Sequence, residues 1–171
     1  MKKEIKNFRR YIMSEMSYNP LFDMGKTKET LVALLGNSND LKKLATRIID
    51  TPYVQGTVAE NESAIFIDTH LRKVSNQRLK EVGTEIYVVC HKDTLTLSED
   101  DKTYFRSIGV YGNRVDCIVQ MIHSIILETQ NCNIGDMNLL NEEPIKPYSP
   151  DIDFIGKQMS YTCQTFYQRK K

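Results

Sequence analysis

From Asn113 to Glu128 the chain sets Cys117, Ile118, Met121, Ile122, Ile125 and Ile126 on one side of a helix. An apolar face that wide must be covered by another layer, since packing rather than propensity stabilises a helix of this length. Gly112-Asn113 supplies its cap and Asp116 lies in its first turn. The cover must come from segments with the period of strands. Ala64-Ile65-Phe66-Ile67 is one apolar run of β-formers, and Thr84 to His91 (Thr-Glu-Ile-Tyr-Val-Val-Cys-His) is a second. Residues 71–82 between them carry four Lys or Arg and read as a solvated hairpin connection, so the two strands pair antiparallel. Near the end, Met159, Tyr161, Cys163 and Tyr167 alternate with Ser160, Thr162, Gln164 and Gln168, the clearest period of two in the chain. This order predicts an α+β fold, an antiparallel sheet packed by one long central helix.

The first third reads as helical. Ile5, Phe8 and Ile12 share one face, and Leu31, Leu34 and Leu35 form a stripe ended by Gly36-Asn37. Asp40 caps a third helix through Leu41, Leu44 and Ile48, stopped by Asp50-Thr51-Pro52. The expected organisation is a helical segment over 1–60 packed on an α+β core over 61–171, one domain in all. Between Lys92 and Tyr111 the chain is polar, but Ser98-Glu-Asp-Asp101 has capping-box form and opens a short helix through Phe105. In 132–150, Pro144, Pro147 and Pro150 favour a stiff, extended segment, with a short strand near Met137–Leu140.

Charge narrows the function classes. There are 23 Lys and Arg against 22 Asp and Glu, a net charge of +1, which excludes a uniformly basic coat for nucleic acid. No apolar stretch approaches the roughly 18 residues of a membrane span. The basic N-terminus lacks the apolar core of a secretory leader, so a cytosol-made protein is expected. Cys90, Cys117, Cys132 and Cys163 form no C-x-x-C pair and read as reduced thiols, three of them in apolar segments.

The short motifs of catalysis fail one by one. Gly25-Lys26-Thr27 resembles the end of a phosphate-binding loop, but Pro20 stands where that loop needs its first glycine. Asp68 and Glu85 on neighbouring strands would hold Mg²⁺ in a nuclease, yet Tyr87 occupies the position of the accompanying lysine. His70, His91 and His123 share no metal-ligand spacing, and there is no G-x-S-x-G elbow. No enzyme activity, cofactor or metal is expected. The alternatives kept open are a small metal-dependent nuclease using Asp68 and Glu85, and a monomeric adaptor.

The layout resembles the tail-terminator (tail-completion) and neck proteins of tailed bacteriophages. The resemblance covers about residues 50–168 and rests on Ala64–Thr69, Thr84–His91, Asn113–Glu128 and Gln158–Tyr167. The phrase Asp153-Phe-Ile-Gly-Lys-Gln-Met-Ser-Tyr-Thr-Cys adds the family's aromatic-glycine turn into a last strand. The helical first third is longer than the family's. The resemblance implies a virion protein, made in the host cytoplasm, that forms a ring, usually a hexamer, at the head–tail junction. Its partners would be its own copies, the tail tube protein and the head-side connector or neck proteins, with DNA only passing through. Such a ring needs one surface patch to meet a different patch on the neighbour. The candidate patches are the basic Arg72, Lys73, Arg78 and Lys80 and the acidic Glu99, Asp100 and Asp101. Phe154, Phe166 and Arg169 join them around the last strand. If either Thr84–His91 or the C-terminal strand lies at a sheet edge, it would extend pairing between subunits. Loops at 92–112 and 138–155 would meet axial partners.

Overall fold

The computed structural model describes residues 47–49, 51, 53, 63–74, 79–128, 137–145 and 153–166. The expected helices over residues 1–46 lie outside this set. Five strands form one sheet: β1 (Ile48–Ile49), β2 (Ser63–Val74), β3 (Leu79–His91), β4 (Asn138–Pro144) and β5 (Phe154–Phe166). Their spatial order is β1-β2-β3-β5-β4. Two helices, α1 (Glu99–Ser107) and α2 (Arg114–Glu128), complete the described fold. The α+β class is as expected, and so is the short helix opened at Ser98; with two helices on the sheet, the description as one long central helix does not hold.

β3 is central, and its composition shows why. Ile86, Val88 and Cys90 face the helices with Ile65, Ile67, Ile118, Ile122, Met159 and Tyr161, all buried in one cluster. Val89 points the other way and packs with Ala64 and Phe66 in a second, smaller cluster bordered by Tyr53, Tyr87, Ile145 and Phe154. A strand covered on both faces reads as a continuous apolar run rather than an alternation. The antiparallel β2–β3 pairing sets Ser63 against Cys90 and Thr69 against Thr84.

The helix ends follow from local chemistry. Ser98 Oγ accepts from the Asp101 amide at 3.1 Å, opening α1 as expected. α1 closes at Gly109, whose φ of +79° suits glycine. Gly109 N–H donates to Arg106 O and Val110 N–H to Phe105 O, the paired bonds of a Schellman ending. That turn delivers Phe105 and Val110 together into the main cluster. At α2, Asn113 Oδ1 accepts from Asp116 N–H and Asp116 Oδ2 accepts from Asn113 N–H, a reciprocal capping box.

Several expectations need correction. Ile48 belongs to a strand, paired parallel with Ile65, so the sheet is mixed rather than wholly antiparallel. A two-residue strand at the outer side of the sheet has no period of its own to read. The segment 71–82 is mostly strand: β2 runs to Val74 and β3 begins at Leu79. Arg72, Lys73, Lys80 and Glu81 therefore lie on strands rather than in a loop. Much of 92–112 is a 3-10 turn and α1, and 138–144 is β4, so neither region is a long loop. Finally, β3 and β5 pair on both sides and lie inside the sheet, leaving β4 as an outer strand.

Candidate assembly surface

β4 pairs with β5 from Asn138↔Thr162 to Pro144↔Lys157, with a bulge between Leu139 and Asn141. All seven of its residues are exposed. Leu139 and Leu140 are 45% and 51% exposed, among the largest apolar side chains open to solvent. Pro144 ends the strand, where a missing amide costs least. An exposed edge strand presents a row of backbone donors and acceptors, and two outward leucines add apolar area to it.

What holds this strand in place is polar. Lys157 Nζ lies 2.8 Å from Glu142 Oε1 and 3.0 Å from Asp116 Oδ1. His123 Nε2 lies 2.9 Å from Glu142 Oε2, and the Tyr161 hydroxyl 2.7 Å from His123 Nδ1. Burial raises the pKa of Tyr161, so its phenol keeps its proton and donates to Nδ1. Nε2 then carries the ring proton and donates to Glu142. The chain Tyr161–His123–Glu142–Lys157–Asp116 thus ties β4 and β5 to the polar edge of α2. His123, a lone helix histidine in the sequence, is its middle link.

This network makes a pH prediction. The hydrogen bond from Lys157, and next that from His123, hold Glu142 below the ordinary 4.5 of a glutamate. A depressed carboxylate stabilises the fold above its ordinary value, and that stability is lost as pH falls through the lowered one. Solvent reaches these groups, so the contribution is under about 1 kcal/mol. Glu142→Gln should therefore lower the melting temperature at pH 7 and flatten its decline below pH 4.5, read by circular dichroism. A variant as stable as wild type at pH 7 would contradict the tie.

Those of the proposed interface residues that are described fall at separate places on the fold. Arg72 is exposed on β2, 3.9 Å from Glu81, and Lys73 and Lys80 lie on the same hairpin arms. Phe166 pairs with Leu79 at that end of the sheet, and Phe154 with His91 at the other. Thirteen-residue strands span about 40 Å at ~3.3 Å per residue. Phe154 packs edge-on against His91 at 5.3 Å. Beyond β3, Glu99, Asp100 and Asp101 form the first turn of α1, where negative charge favours the helix dipole and Glu99 pairs with Lys102 at 2.6 Å. Arg78 and Arg169 lie outside the described residues. The sequence reasoning missed Leu139 and Leu140, because leucine on an outer strand looks the same in sequence as leucine in a core.

The motif residues are placed as follows. Asp68 and Glu85 face each other across β2 and β3. Gln158 Nε2 and Ser160 Oγ, at 2.9 and 2.5 Å, both donate to Glu85 Oε2. Cys90, Cys117 and Cys163 are buried and form no disulfide, and Cys132 lies outside the described residues. Burial pushes the Cys117 thiol up to about 11, which makes it inert near neutral pH. Among the described residues, no three His, Cys, Asp or Glu side chains gather as a metal site, and no helix is long and apolar enough to cross a membrane.

Comparison with known proteins adds one match. The family model described as YomW matches residues 8–163. No curated protein matches the chain.

Proposed function

The chain belongs to the YomW family, and from that premise we propose that it is a structural subunit of a tailed-phage particle that joins its own copies in a ring. The family carries a phage-derived name, which suggests a phage-associated protein. The layout of the strand pair β2–β3, the helix α2 and the strand β5 supports the finer reading, a tail terminator or neck protein. In that role a hexameric ring ends the tail tube, meets the tube protein on one side and the head-side connector on the other, and lets DNA through. It performs no reaction and needs no cofactor. The observation that carries the reading is β4, a fully exposed outer strand bearing Leu139 and Leu140.

Aspartate at both Leu139 and Leu140 should reduce the assembled protein to single chains in size-exclusion chromatography with light scattering. Both side chains are half exposed or nearly so, and the circular dichroism spectrum should be unchanged. An assembly that survives both substitutions would count against the reading.

The direct apposition of Asp68 and Glu85 favours a second reading, a metal-dependent nuclease. Mg²⁺-dependent DNA cleavage that disappears in Asp68→Ala would establish it. Absence of cleavage with Mg²⁺ or Mn²⁺ would remove it.

A further inference from the structure

We propose that copies join by sheet extension, with β4 of one subunit lying antiparallel against the outer edge of β2 in the next; this rests on the ring reading above. Strand direction gives the first argument. β2 and β3, β3 and β5, and β5 and β4 are each antiparallel pairs, so β4 runs opposite to β2. Two copies set side by side in the same orientation therefore bring β4 against β2 in the antiparallel sense, the more stable ladder per residue. Same-orientation contacts of unlike edges are heterologous, and they close into rings when the rotation permits.

Available length gives the second argument. β1 pairs only with Ile65 and Phe66 of β2. Among the described residues, Ile67–Val74 has no strand on its outer side. That stretch is about as long as β4.

Charge gives the third. β4 carries Glu143 beside the already paired Glu142, and this stretch of β2 carries Asp68 and His70 followed by Arg72 and Lys73, its basic residues gathered toward the Val74 end. Glu143 is in register with Gln158, which bonds Glu85 on the face away from the helices. The Arg72 side chain lies over Gly83 on the same face, since a Cβ on that glycine would meet Arg72 Cδ and Cγ at 2.8 Å. Glu143 and Arg72 of neighbouring copies thus project from the same side of a continuous sheet. Self-pairing of β4 about Asn141 would instead set Glu143 against Leu139, so that Glu143 meets no basic residue across the contact. Electrostatic complementarity of this kind selects the partner edge.

The test is a charge exchange on the full chain, read as mass by light scattering. Wild type should assemble, while Glu143→Arg and Arg72→Glu should each fall to the mass of one chain with unchanged circular dichroism. Mixing the two variants one to one should restore assembly, because each contact then joins arginine to glutamate. If wild type assembles and Arg72→Glu assembles equally well, β2 is not the partner edge; the proposal is overturned while the ring reading stands. Failure of the mixture to reassemble would overturn it as well. A wild type that stays a single chain would overturn both.

Discussion

Ile122→Ala should lower the free energy of unfolding by about 2–5 kcal/mol, the range for removing a large aliphatic side chain from a packed core. Ile122 has no exposed surface and sits on α2 where the helix meets the sheet. It shares its cluster with Ile118, Met121, Ile86, Val88 and Tyr161, so the cavity left behind has several walls and little freedom to close. Because α2 is the layer that covers the sheet, the loss should appear in one cooperative transition. Urea denaturation followed by circular dichroism, and by tyrosine fluorescence in a chain without tryptophan, should show one shifted midpoint. A change below about 0.5 kcal/mol would mean that α2 does not pack as described.

Gly156→Ala should cost about 1–3 kcal/mol, the usual penalty of forcing an added methyl into a packed site. Gly156 lies on β5 opposite Val89. A Cβ there would stand 2.5 Å from the Val88 carbonyl oxygen and 2.7 Å from Ile145 Cδ1. The isoleucine can turn aside, but the carbonyl belongs to the central strand and cannot. Ile145 N–H also donates to Gly156 O at 2.9 Å, so the same glycine anchors the chain leaving β4. The substitution should therefore loosen the outer strand as well as the ladder, with faster amide exchange in β4 than in wild type. Gly83→Ala is the control. The added methyl there meets the side chains of His70 and Arg72, whose displacement is cheaper than that of backbone.

Where one physical rule governed a segment, the sequence was readable. The period of α2, the capping box at Ser98 and the alternation of β5 were each local, and each element formed near the place its pattern predicts. The errors arose where tertiary context decides. Leu41, Leu44 and Ile48 share helical spacing, yet Ile48 pairs with Ile65, and a strand of two residues cannot announce itself. The arms at 71–74 and 79–82 carry charge because polar residues are tolerated away from the helix layer, and charge suggested a loop. Strand order is the deepest case. β3 and β5 looked like candidate edges, but nothing in a strand's own residues tells whether a neighbour will pair on both sides. β4 was anticipated only around Met137–Leu140, its extension to Pro144 being obscured by a proline that an outer strand accommodates. The assembly surface inherits that difficulty. Its charges were visible in sequence, whereas its leucines acquired meaning only once β4 was seen to be exposed.

The central claim is self-assembly, and the native mass of the unmodified full-length chain tests it most directly. Light scattering coupled to size-exclusion chromatography should give a concentration-independent mass of about six times the 19.8 kDa of one chain. A mass of one chain across the accessible concentration range would contradict the account.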